Sequence, residues 1–221
     1  MRLGFRTGHA LFLLLAWTGC PDPGADFDDF AKRAGTSHDA GPVEQGGCAL
    51  PEGALPAPEQ LSGTFLFSVS TTVGRDRPFV FLLDVDVSRS GARYEITIVA
   101  QPLAANDRKT PVGAPTDPQT FSVEAGGCFT SVPQLFALPA GANPILPVQA
   151  TSELSFSGNV GSALRDARGA VTFWCGQVNG RSVTPLPMNI DGSTFAATRV
   201  TNPAQLPPVV INCAMDPARP L

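Results

Sequence analysis

The chain predicts an all-β domain: a single antiparallel β-sandwich or barrel of about eight or nine strands, stapled by disulfides. Three observations carry this. From Phe65 onward, short runs alternate apolar and polar residues, the mark of half-buried strands, and no stretch repeats at helical spacing. The 22 prolines and 22 glycines are spread along the 221 residues and punctuate those runs. Beyond Cys20, an even set of cysteines remains: Cys48, Cys128, Cys175 and Cys213.

Taken in order, Phe65, Phe67 and Val69 share one face of the first strand. Phe79, Phe81, Leu83, Val85 and Val87 share one face of the second, and Tyr94, Ile96, Ile98 and Ala100 line the third. Ser90-Gly91 reads as the hairpin turn between them. Pairing Val87 with Tyr94 and Val85 with Ile96 keeps the apolar faces together, and this register sets Asp86 opposite Glu95. Residues 101–118 form a surface loop. Strands follow around Phe121/Val123, Leu154/Phe156/Val160, Val171–Val178, Leu186/Met188/Ile190 and Thr194–Val200. Tyr94, on an apolar face, reads as core. Trp174, opposite in face to Phe173 and Cys175, reads as core too, the alternatives being a sugar-stacking ring or the lining of a cavity mouth.

Four cysteines allow three pairings. Zinc wants close C-x-x-C pairs, whereas every gap here is tens of residues, so disulfides are expected. Cys48–Cys128 with Cys175–Cys213 is the favoured set.

The search for chemistry is decided mostly by absences. Both histidines, His9 and His38, precede the predicted domain, which removes the usual general base from it. No nucleophile elbow, phosphate loop or dinucleotide fingerprint occurs in the sequence, so no catalytic residue is assigned. Asp84, Asp86 and Glu95 share one outer face and would offer calcium three carboxylates. The competing expectation is a solvated patch neutralised by Arg93. No other cofactor is expected. A net charge of −4 with scattered basic residues disfavours nucleic acid as a partner.

Ahead of the domain, Arg2 and Arg6 precede the apolar run Ala10–Trp17, which is far shorter than the roughly 20 residues of a membrane-spanning helix. Trp17-Thr18-Gly19-Cys20 resembles the lipobox of bacterial lipoprotein precursors, with Trp17 where that family normally has Leu. The resemblance implies a signal peptide over 1–19 and cleavage before Cys20. It also implies diacylglycerol and a further acyl chain such as palmitate on Cys20. Pro21 rather than Asp follows the cysteine, which by the enteric sorting pattern favours the outer membrane. Residues 20–47, rich in Gly, Pro and Asp, read as the lipidated cysteine and a disordered tether, and 48–221 as the β-rich domain.

The expected function is therefore a non-catalytic structural or interaction module at the cell envelope, held to the membrane through Cys20. The alternative is a barrel that carries a small apolar ligand or lipid. Gly63-Thr64-Phe65 resembles the opening of lipocalin-type barrels, which hold such ligands. An envelope hydrolase ranks third. The observation that separates the carrier from the interaction module is an enclosed apolar cavity of at least about 300 Å³; a packed interior would sink the carrier.

Overall fold

A computed structural model describes residues 53–91 and 93–221. The signal segment, the tether, Cys20 and Cys48 lie outside the described residues. The fold is all-β, with one short helix, α1 (Pro58–Leu61). The strands are β1 (Gly63–Ser70), β2 (Phe79–Ser90), β3 (Arg93–Pro102), β4 (Gln119–Val123), β5 (Cys128–Thr130), β6 (Gln134–Leu138), β7 (Ala150–Asn159), β8 (Leu164–Arg165), β9 (Val171–Thr184), β10 (Met188–Asn189) and β11 (Ser193–Arg199). One antiparallel path runs β4-β3-β2-β1-β11-β9-β7-β5, with β6 continuing the β5 edge alongside β7. Chain neighbours are sheet neighbours almost throughout, and β11 returns to pair with β1. The result is an up-and-down barrel, nearly closed, whose seam lies between β4 and β5.

The alternation seen in the sequence sorts inside from outside. Phe65, Phe67 and Val69 on β1, Leu83, Val85 and Val87 on β2, Ile96 on β3 and Phe195 and Ala197 on β11 belong to one interior core. One end of this barrel is plugged. Residues just before β1 cross it, with Leu61 fully buried and Leu55 packed against the same core. Arg199 locks the plug in place. Its guanidinium donates to the carbonyls of Ser62 (2.9 Å), Gln60 (2.6 Å), Leu61 (3.3 Å) and Val171, and its Cζ lies 4.6 Å over the Phe65 ring. Burial pulls the Arg199 pKa below the ordinary guanidinium value, with Asp166 opposing; arginine stays charged all the same. Gly63 has to be glycine here: its φ is +136°, and a Cβ would sit 2.4 Å from Arg199 Nη1.

The β2–β3 hairpin corrects the expected register. Ser90 pairs with Arg93, so Val87 faces Ile96 and Val85 faces Ile98. The pairing is displaced by two residues, which keeps the apolar faces together while turning the chain at Gly91, whose φ of +65° suits a two-residue loop. Asp86 therefore lies opposite Thr97 and Glu95 opposite Ser88. Asp84, Asp86 and Glu95 are exposed, and no group of three metal-ligating side chains is assembled among the described residues.

A second, smaller layer covers part of the barrel's outer face. Leu66 and Val80 point outward onto Leu103, Leu206 and Val209, and Phe173, Cys175 and Ala196 onto Val210. The tail from Val200 to Leu221 and the start of the 101–118 loop thus form a flap, so that loop is only partly the surface feature expected. Asp107 organises its tip, accepting from Lys109 N, Thr110 N and Thr110 Oγ1, donors that hold its carboxyl below the ordinary range. Ser68 and Thr194 donate to the Val210 and Ile211 carbonyls. The Cys175–Cys213 disulfide, one of the two pairings expected, ties the tail to β9 across a separation of 38 residues. Cys128 is disulfide-bonded as well; its expected partner, Cys48, lies outside the described residues.

Two stability predictions follow from these locks. Arg199→Met leaves several carbonyls at the plugged end without a donor and costs about 3 kcal/mol in urea unfolding. Cys213→Ser frees the tail and costs about 4 kcal/mol by loop-closure arithmetic, read in the same assay.

Candidate ligand-binding site

The half of the barrel away from the plug is lined by phenylalanine. Phe67 lies 6.2 Å from Phe81, 5.9 Å from Phe156 and 5.5 Å from Phe195, ring centre to ring centre, and Phe136 meets Phe156 edge-on at 5.7 Å. Between them is a cavity of about 100 Å³ that reaches from Trp174 to Thr71, Phe79 and Ile190 at the unplugged end. Phe79, Phe81, Phe121, Phe136 and Phe156 are only half-buried, so the space communicates with solvent.

The opening is set by the seam. β4 and β5 are joined by a tight turn in which Glu124 N donates to Cys128 O and Gly127 N to Glu124 O, both at 2.9 Å. Past that turn no ladder joins β4 to β5 or β6 among the described residues. Thr116 and Gln119 line the cavity on one side of the seam, Ser131 and Gln134 on the other. Thr116 Oγ1 accepts from Ala100 N (3.0 Å) and Ser131 Oγ from Phe156 N (2.9 Å), so these hydroxyls brace the walls of the gap.

None of the lining side chains is titratable. The mostly apolar lining suits the space to holding apolar matter. Trp174 Nε1 and Thr71 Oγ1 are the buried side-chain polar atoms without a partner among the described residues; both residues line the cavity, but neither of these atoms is exposed to it.

Trp174 is core, as its strand face predicted, and lines the cavity as well. Phe129 and Phe136 escaped sequence reading because β5 and β6 are short and flanked by Pro133 and Pro139, and because Gln134–Leu138 is apolar on both faces. A proline-bounded pair of aromatics seven residues apart was the available signal. No family model, curated protein or solved structure matches this chain.

Phe129 is the keystone of the cavity floor, 4% exposed and in contact with Phe121 (4.9 Å), Trp174 (5.8 Å) and Phe195 (6.3 Å). Phe129→Ala is expected to cost about 3–5 kcal/mol by denaturant unfolding, because the ring's volume joins a space that the stiff barrel does not collapse.

Proposed function

We propose that this chain is an envelope lipoprotein whose barrel holds a small apolar ligand, or the apolar end of a larger one. The observation that carries the reading is the phenylalanine-lined cavity opening at an unpaired seam, with no titratable side chain in its lining. Its size limits the occupant. At about 100 Å³ and open to solvent, it falls short of the enclosed 300 Å³ expected of a carrier, so it does not enclose a whole ligand. A dry apolar cavity of about 150 Å³ holds benzene. A short alkyl segment therefore matches the space, whereas a ring or anything longer has to extend into the seam.

The lipid anchor rests on the Thr18-Gly19-Cys20 exit behind a short apolar run. Anchoring would place the barrel beside a source of apolar molecules and keep it there, since acyl chains add about 0.8 kcal/mol of membrane affinity per buried methylene. No helix among the described residues is long and apolar enough to cross a membrane. The interaction-module reading has its own support in Val132 and Leu135, exposed to 68% and 70% beside the seam. It becomes the better reading if the barrel proves to bind nothing apolar.

The test combines two measurements on the full chain expressed in a bacterium. Mass spectrometry is expected to show a mature product beginning at Cys20 and carrying diacylglycerol, lost in Cys20→Ala. Calorimetric titration with benzene and short alkylbenzenes is expected to show saturable 1:1 binding. Because no lining group titrates, the affinity is expected to stay flat from about pH 5 to pH 9. Absence of saturable binding overturns the carrier reading.

A further inference from the structure

We infer that the unplugged end of the barrel is a membrane-docking face, which seats on a phospholipid surface with the mouth of the cavity against the bilayer. Exposed apolar side chains are ordinary when scattered and mark a contact surface when grouped. Of the ten large ones exposed among the described residues, Val73, Leu146, Val148, Val183 and Leu186 belong to this end. Topology puts them there. Val73 is in the loop that leaves β1, Leu146 and Val148 in the one that enters β7, and Val183 and Leu186 at the β9–β10 turn. Each of these segments adjoins a residue of the cavity wall: Thr71, Ala150 and Ile190. The apolar groups therefore ring the mouth.

Cations gather beside the ring. Arg219 N donates to Asp76 O (2.9 Å), and the Arg219 guanidinium lies 3.8 Å from the Asp76 carboxylate. Arg108 Nη1 in turn donates to Arg219 O (2.8 Å). These bonds bring the 101–118 loop and the end of the tail onto the β1–β2 loop, which carries Arg75 and Arg77. Both are exposed, and neither forms an ion pair among the described residues. Their planar forks suit phosphate oxygens taken two at a time. Lipid headgroups present that phosphate just above the acyl boundary that an apolar ring enters. Asp107, Asp117, Asp191 and Asp216 on the adjoining segments keep the net charge of this end low. The apolar ring therefore supplies most of the affinity, and the arginines hold headgroups at its rim.

The face is independent of what the cavity holds. A bilayer seated there is also a source from which apolar matter reaches the cavity without crossing water.

The experiment uses the full chain and vesicles of equal parts phosphatidylglycerol and phosphatidylcholine whose acyl chains carry bromine, a quencher of indole emission. Leu186→Trp and Leu164→Trp place an indole at the unplugged and plugged ends, at positions 54% and 51% exposed, and the unsubstituted chain is the blank. Emission from position 186 is expected to fall about twofold on these vesicles and to hold at position 164. Adding Arg75→Ala and Arg77→Ala to Leu186→Trp is expected to weaken vesicle affinity about tenfold. The two indole variants share one N-terminal segment, so their difference reports the orientation of the barrel. Equal quenching at both positions, or none at either, overturns the inference and leaves the ring to a protein partner. An affinity unmoved by the two arginine changes overturns the phosphate contact. Benzene titration tests the carrier reading separately, so either can fail alone.

Discussion

The barrel depends on one cation. Arg199 ends β11, and from there its guanidinium reaches the carbonyls that leave α1, the carbonyl that opens β9 and the face of Phe65 on β1. Three elements distant in sequence are held by four hydrogen bonds from one planar fork and by its contact with a ring, an arrangement that lysine could not reproduce with a point charge. Desolvating a guanidinium is costly, and four acceptors, an aromatic face and the charge of Asp166 offset that cost. Gly63 is the concession that the site demands, since any side chain there would occupy the space of the guanidinium. With this end fixed shut, space inside the barrel is left at the other end.

An eight-strand barrel is just wide enough for side chains to fill, so a cavity needs a reason. Here the reason is the choice of residues. At the plugged end the interior is branched aliphatic, with Val85, Val87, Ile96, Val123, Val160 and Val171 all buried. Toward the opposite end phenylalanine takes over, on β1, β2, β4, β6, β7 and β11. Flat rings meet there at angles between 34° and 70° around Phe67, Phe81, Phe156 and Phe195, and the cavity lies among them. The composition that makes the core apolar at both ends makes it solid at one.

Much of this was legible in the sequence. Period-two alternation located β1, β2, β3, β7 and β11, and it survived a two-residue error in the β2–β3 register because such a slip exchanges neighbours without exchanging faces. The same error invented the Asp86–Glu95 opposition on which the calcium alternative was built. What could not be read was β5 and β6, too short and too uniformly apolar for a period to show, and they supply Phe129 and Phe136 to the cavity. The outer flap was hidden for a related reason. Leu66, Val80 and Phe173 sit on the nominal solvent face of their strands, and only the folded tail explains why they are apolar. Trp174 was correctly placed in the core, but a missing hydrogen-bond partner is a property of three-dimensional surroundings and leaves no trace in spacing.

The seam itself follows from where proline falls. A barrel strand can pair along its full length only if each residue facing its neighbour has an N–H to give, and proline has none. Before β4 the chain passes Pro111, Pro115 and Pro118; between β5 and β6 it passes Pro133, and it leaves β6 at Pro139. The two strands meet at the Glu124–Gly127 turn, where no proline intervenes, and part where the prolines accumulate on both sides. These residues also blunt two free edges that would otherwise invite a foreign strand. Proline therefore does two things with one placement: it keeps the edges from recruiting other chains, and it keeps open the gap through which the phenylalanine-lined space meets solvent.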